Sequence, residues 1–431
     1  MATVGCCALG QLALHSRILL LQGPIGPFFS FLAQMLESNG RAVFKVNFNG
    51  GDDFFFTQHP STAYTGTLED WPTWVEDYIK QHKIDAIALF GEWRHYHRSA
   101  WQVADRLGIE VYVFEEGYLR PDYVTMERHG VNGNSLISRD PEYYKSLPEP
   151  PKPEPQHVAH RFSRLLAYAV TYYLVSLFMR WRYPHYQHHR PFNPLTEGWA
   201  WIRSGWRKIL FARTEKKTLA CLAKSSMHKR YFLVPLQVHN DSQLKFHSRF
   251  KSIEEFIEDV VGSFAHHAPR ECSLVLKHHP MDRGYKNYSH LIRELAAKHG
   301  LAERLIYIHD GHLPTLQGDA RGVVTINSTV GLSAFFHNTP VKILGEAIYD
   351  VPGLVSTQPL EGFWQSPGQV DHALFVRFKR ELIKKTQLNA GFYTPSSYHY
   401  ALDCYRAAQE GGGLNTPPSP AITGKRARTG P

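Results

Sequence analysis

A chain of 431 residues, 43% hydrophobic and 20% charged, has the composition of a globular protein and the length for two cored domains. Dominant disorder, collagen-like repetition and a small disulfide-stapled scaffold are excluded. Forty-eight Lys and Arg against 39 Asp and Glu give a net charge of +9, which suits an anionic substrate, a nucleic acid or an anionic membrane without choosing among them. The 25 histidines cluster with arginines and aromatics, so mild acid makes the chain much more positive. Cys6, Cys7, Cys221, Cys272 and Cys404 form no CxxC pair, which predicts a reducing compartment with neither a disulfide framework nor a zinc site. No signal-peptide pattern opens the chain, and no stretch reaches the roughly 18–20 apolar residues of a membrane span. The expectation is a cytoplasmic protein.

In chain order, residues 18–21 are an apolar run, 22–27 a Gly/Pro loop and 28–36 a helical period ended by Asn39-Gly40. The next strand is expected at 43–46, making a βαβ unit with parallel strands. A strand at 86–90, a helix at 100–107 and a strand at 111–114 follow, the last opening into Glu115-Glu116-Gly117-Tyr118-Leu119-Arg120-Pro121. This first domain is expected over 17–147. Gly23 lies in a loop only loosely like a phosphate loop, since neither the GxGxxG nor the GxxxxGK[ST] spacing is present. Asp52-Asp53, behind Gly50 and Gly51, reads as a turn. A proline-rich break, PEPPKPEP, occupies 148–155 and cannot pair in a sheet centre. An aromatic-basic stretch follows, from Arg161 through Tyr172, Trp181 and His188 to Arg190 and beyond. Residues 148–225 are therefore expected as a helical insertion between two domains. It either packs on them or lies in an anionic headgroup layer.

The second domain is expected over 226–370. Its strands are read at 231–236, 273–276, 305–308, 322–326 and 341–344, with helices at 253–265 and 288–299 and a short one from 330. Residues 371–409 read as helical, and 410–431 as a disordered tail. The fold class is α/β with two parallel-sheet domains, which bind ligands at the carboxyl ends of their strands.

Three polar loops stand at such ends. Gln237-Val238-His239-Asn240-Asp241 follows the strand at 231–236; it is either a solvated loop or one that aims Gln237 and Asp241 into a cleft, with Asp241 a base or nucleophile. Lys277-His278-His279-Pro280 supplies cationic donors fixed by a proline, suited to phosphate or carboxylate. Adjacent histidines in an extended segment point to opposite faces, which argues against a metal site. Asn327-Ser328-Thr329 opens a helix, so Ser328 or Thr329 is an N-cap and the helix start an anion site. In the first domain, Glu115 to Pro121 forms an acid/base-rich mouth containing Glu116 and Arg120.

Gln-Val-His-Asn-Asp at 237–241, Lys-His-His-Pro at 277–280 and Asn-Ser-Thr-Val-Gly-Leu-Ser at 327–333 resemble the capsule polysaccharide biosynthesis family of Gram-negative bacteria. The segments LLLQGPIGPFF, FKVNFNGGD and FEEGYLRP resemble its single-module branch, which starts a β-linked Kdo (3-deoxy-D-manno-oct-2-ulosonic acid) linker on a phospholipid. The resemblance implies a GT-B-like fold of two Rossmann-like domains. It implies CMP-Kdo as donor substrate, no cofactor and no metal. Its motif residues imply roles as well: His279 with Ser328 or Thr329 at the CMP phosphate; Lys277 near phosphate or the Kdo carboxylate; Pro280 and Asn327 among the substrate-binding residues; Asp241 of a Q-x-x-x-D motif begun by Gln237 as nucleophile. Glu116 is expected to activate the acceptor, and Gly23 and Arg120 to contact substrate. The implied partners are a phosphatidylglycerol-type acceptor, the anionic inner leaflet and other capsule assembly proteins, with no nucleic acid, at the cytoplasmic face of the inner membrane. The competing expectations are another CMP-sugar transferase, a nucleotide-sugar epimerase and a non-catalytic scaffold of capsule export.

Overall fold

The computed structural model describes residues 7–148, 156–158, 162–189 and 194–410. They fall into two compact units. The first takes the chain up to Ile137, the stretch between Glu149 and Arg190, and the chain from Lys379 on; the second takes Ser138–Pro148 and the chain from Pro191 to Phe378.

In the first unit β1 (Arg17–Leu20), β2 (Ala42–Asn47), β3 (Thr62–Ala63), β4 (Ala86–Phe90) and β5 (Glu110–Glu116) are parallel in the order β3-β2-β1-β4-β5. β6 (Tyr123–Arg128) adds antiparallel to β5. Alternate residues of β1 serve two cores: Ile18 and Leu20 meet Phe28 and Leu32, while Leu19 joins Trp71, Val75 and Val103. A strand stretch covered on both faces must be apolar, and Ile18–Leu20, the buried part of β1, is. Gly50 and Gly51 do not form a turn with Asp52 and Asp53, contrary to the sequence expectation. They open a short helix, α1 (Gly50–Phe55), whose N-cap Asn49 accepts from the Asp52 N–H. The reason is a close approach. A Cβ on Gly51 would lie 2.5 Å from the Tyr172 ring, and one on Gly50 2.6 Å from Met179 Cβ, so the two glycines let α2 (Phe162–Phe178) lie against α1.

The second unit begins with α3 (Pro194–Thr214) and α4 (Lys216–Leu222). Its elements then run β7 (Tyr231–Pro235), α5 (Ser242–Phe246), β8 (Ser273–Lys277), β9 (Leu305–Ile308), β10 (Gly322–Thr325), α6 (Thr329–Ala334) and β11 (Val341–Ile343). The sheet is wholly parallel, ordered β11-β10-β7-β8-β9. Its core sets Phe232 and Val234 against Phe256, Val260 and Phe264 of the helix Ile253–His267. Both units are thus Rossmann-like, with the chain reversing direction at a switch point: between β1 and β4 in the first, between β7 and β10 in the second.

The helix expected across 371–409 is interrupted. After the helix His372–Thr386 comes β12 (Gln387–Asn389), pairing antiparallel with β6 in the first unit before the helix Tyr398–Glu410. Leu388 is buried there, and the pairing gives the outer edge of β6 its backbone partners. The aromatic-basic insertion is likewise divided, α2 with the first unit and α3 and α4 with the second. Arg161, Arg190, most of the proline-rich break and the tail beyond Glu410 lie outside the described residues.

Candidate functional site

At the switch point of the second sheet the loops after β7 and β10 bond to each other. The Gln237 amide, buried, donates to Asp241 Oδ2 at 3.1 Å and to Asn327 Oδ1 at 3.0 Å, and its Oε1 accepts from the Asn327 N–H at 3.3 Å. Asn327 also donates to the carbonyls of Gln243 and His247. Asp241 is the N-cap of α5, its Oδ1 taking the Gln243 N–H at 2.9 Å. One carboxylate is therefore both a cap and the partner of an oriented amide. Each oxygen retains a lone pair, and the carboxylate is held in a single orientation.

The loop after β8 is tied to this knot. The Leu236 N–H donates to the Lys277 carbonyl at 2.9 Å, so Lys277 stands beside the start of the 237–241 segment. Its ammonium is buried, and burial lowers its pKa; Asp310 opposes that shift and Arg283 reinforces it. The two histidines diverge as expected. His278 turns inward, with Nδ1 2.6 Å from the Tyr307 hydroxyl, and burial helped by neighbouring His309 lowers its pKa to about 3. His279 stays half-buried and caps the turn Pro280–Asp282, its Nδ1 accepting from the Met281 N–H at 3.2 Å. That puts the ring proton of the neutral imidazole on Nε2. Pro280 is exposed. Ser328 is the N-cap of α6, accepting from the Val330 N–H at 3.2 Å, and Thr329 follows half-buried.

Sequence reasoning missed the pair that links the first loop to the second. Asp282 is fully buried and accepts from the backbone N–H of His239 at 2.8 Å and from its ring Nδ1. Forty-three residues separate the two, and the only signal was an acid two residues past Pro280. A second missed clamp lies at the end of β9. There Glu215 accepts from the N–H groups of His309 and Asp310 and pairs with His309 Nδ1 at 2.6 Å, while Phe211 stacks on that imidazole at 3.6 Å. Among the described residues, no group of three or more His, Cys, Asp or Glu side chains gathers as a metal site.

In the first unit Glu116 ends β5, half-buried, accepting from the Tyr393 hydroxyl at 3.2 Å. Arg120 is exposed and folds back on its own loop, Nε donating to the Gly117 carbonyl at 3.0 Å. Gly23 borders a cavity of about 20 Å³ lined also by Lys45, Asp52 and Tyr172, room for about one water. The polar groups around it are already engaged. Tyr172 Oη accepts from Gln22 at 2.8 Å and Asn49 at 2.7 Å and donates to Asp52 at 2.9 Å, while Arg94 donates to Gln22 Oε1 at 2.8 Å. Lys45 is wholly buried there, which lowers its pKa to about 8 against the opposing pull of Asp52 and Asp53.

Comparison with known proteins finds relatives of this chain. The family described as "Capsule polysaccharide biosynthesis protein" matches residues 85–393. The capsule polysaccharide export protein KpsS of Escherichia coli is 43% identical over 386 residues, covering 90% of this chain and 99% of its own length. The capsule polysaccharide modification protein LipB of Neisseria meningitidis serogroup A is 39% identical, over 88% of this chain and 92% of its own. Among solved structures, a Thermosulfurimonas dismutans KpsC described as a beta Kdo 2,7 transferase is 15% identical, with a TM-score of 0.40 over 84% of this chain and 89% of that one. With a family match across most of its length and two relatives aligned nearly end to end, the chain belongs to the capsule polysaccharide biosynthesis protein family.

Proposed function

We propose that this chain is a retaining glycosyltransferase. It moves β-Kdo from CMP-Kdo to a phosphatidylglycerol-type lipid and so starts the poly-Kdo linker of a capsular polysaccharide. The observation that carries the reading is the knot of Gln237, Asp241 and Asn327 at the switch point of the second sheet, beside buried Lys277. A donor with a single phosphate needs cations, hydroxyls and N–H groups, and these loops offer them in His279, Ser328, Thr329 and Lys277.

In the proposed reaction Asp241 attacks the anomeric carbon of Kdo as the bond to the CMP phosphate breaks, giving a glycosyl ester and free CMP. The acceptor hydroxyl then attacks the same carbon, loses its proton to Glu116 and releases Asp241 as a carboxylate. Two inversions retain configuration. Gln237 acts by holding the Asp241 carboxylate in line.

The lipid acceptor calls for a membrane surface. Among the described residues no helix is long and apolar enough to cross one, so attachment is proposed through the outer face of α2. Phe162, Leu166, Val170, Leu174, Leu177 and Phe178 are exposed there while Tyr172 is buried. Residues 162–189 contain no Asp or Glu.

The test is direct. Purified protein is incubated with CMP-Kdo and a fluorescent phosphatidylglycerol acceptor, with and without EDTA, and the product is weighed. One added Kdo irrespective of EDTA is the expected result. Transfer from CMP-sialic acid or a UDP-sugar in preference to CMP-Kdo would reassign the donor, and no transfer from any of them would leave a scaffold role.

A further inference from the structure

We propose that the outer face of α3, in the second unit, is a separate bilayer-docking surface: a helix lying in the plane of an anionic membrane with its tryptophans and isoleucines at the headgroup boundary. It depends on the function proposed above only for the presence of a bilayer, and it uses neither the donor loops nor α2.

The inner face of α3 is fixed. The Ala200 carbonyl packs on Gly284, where a Cβ would come within 2.2 Å of it. Arg203 Nε donates to the Gly284 carbonyl at 2.6 Å, and Arg207 donates to the Arg283 carbonyl at 2.8 Å. Glu197 accepts from the Tyr285 hydroxyl. Just past the helix, Glu215 is clamped to the backbone of His309 and Asp310. These bonds set the rotation of the helix, so its far side cannot turn inward to bury itself.

That far side is apolar. Trp199 is 65% exposed, Ile202 65%, Trp206 63% and Ile209 55%. Their spacing of three, four and three residues places them in one stripe, opposite Ala200 and Arg207. Single exposed apolar residues are ordinary; a continuous stripe with two tryptophans marks a surface that is covered in use.

Charge chooses the occupant. From 194 to 224 the only acids are Glu197 and Glu215, both bonded within the unit; Arg203 and Arg207 are likewise tied to the inner face, while Lys208, Arg213, Lys216, Lys217 and Lys224 add further positive charge. What the segment offers outward is aromatic, aliphatic and cationic, the combination that partitions into an anionic interface. Roughly 30 Å of helix at 1.5 Å per residue gives it room to lie flat.

Flotation of the full chain with vesicles of phosphatidylglycerol and phosphatidylcholine, and of phosphatidylcholine alone, tests the assignment. Two triple variants are compared with wild type: Trp199→Ser/Ile202→Ser/Trp206→Ser on α3, and Leu166→Ser/Val170→Ser/Leu174→Ser on α2. The α3 variant is expected to lose at least tenfold in partition onto phosphatidylglycerol vesicles while its melting temperature and CMP affinity stay at wild-type values. High salt should weaken the wild type toward it. If the α3 variant floats like wild type, the proposal is overturned, and a loss confined to the α2 variant leaves the lipid reading standing without it. Wild type that binds no vesicle, yet changes from dimer to monomer by light scattering with the α3 substitutions, would make the occupant a second copy and overturn it as well. Kdo transfer is scored separately, so a failure of the donor assignment is not confused with a failure here.

Discussion

At the switch point of the first sheet, Tyr172 of α2 is buried among Gln22, Asn49 and Asp52 and bonds to all three. At the switch point of the second, Gln237, Asp241 and Asn327 come from the sheet's own loops and bond across it, with Lys277, His279 and Ser328 on the flanking segments. The parallel strands follow the same order in both units. Topology therefore locates a crevice, but the side chains decide whether an added helix joins it or the sheet's own loops bond across it. In the first unit the crevice anchors an added helix, and two glycines of α1 let that helix approach. In the second, the polar groups hold one another in orientation, which is what a binding site needs before its ligand arrives.

Removing the carboxylate from the second crevice sharpens the contrast most. Asp241→Asn retains a good N-cap for α5, so the fold should persist. Turnover from CMP-Kdo should fall at least ~10³-fold, or ~4 kcal/mol, with CMP affinity within a few-fold of wild type. Intact mass after mixing wild type with CMP-Kdo alone should show one Kdo on the peptide containing Asp241. Normal turnover by the variant would place the nucleophile elsewhere.

Acid should act on both units. Burial holds His97 of the first and His278 of the second neutral, each with its pKa lowered to about 3 from 6.5. Between pH 6.5 and 3 the unfolded chain binds these protons and the folded chain does not. Stability is therefore whole above pH 6.5 and declines as pH falls through that window, by on the order of 1 kcal/mol per pH unit for each imidazole. His97→Gln should flatten the decline of the first unit only, read by acid titration with probes in each unit. An unchanged acid slope would mean His97 is not the group responsible.

Smaller effects separate the two crevices. His279→Ala should weaken CMP by roughly 1.5–3 kcal/mol if Nε2 donates to the phosphate, measured by calorimetry; unaltered affinity would move the phosphate to other donors. Tyr172→Phe removes a hydroxyl with three partners and should cost about 1–2 kcal/mol in stability by denaturant melt while leaving CMP binding alone. A shift in CMP affinity in that variant would break the distinction drawn between the two sheets.

How far the sequence went depended on the range of the forces involved. β4, β7 and β8 were legible because a strand buried on both faces must be a nearly unbroken apolar run, as Ala86–Phe90 and Tyr231–Pro235 are. The polar loops were legible for the same reason, since each begins where an apolar run ends; Gln237, Lys277 and Asn327 were found this way. β12 was not, because three residues show no period and only the open edge of β6 makes them a strand.

By itself, then, the sequence determined two α/β units, the ends of their strands and the residue types gathered there, all of which follow from local periodicity and burial. Only tertiary structure decided which of those residues meet. Gln237 and Asn327 lie 90 positions apart, His239 and Asp282 lie 43 apart, and Tyr172 reaches Asp52 across 120. Such partners are chosen by strand order and helix docking, and a hydrogen bond extends only about 3 Å, so a polar residue carries no mark of the distant segment that will satisfy it.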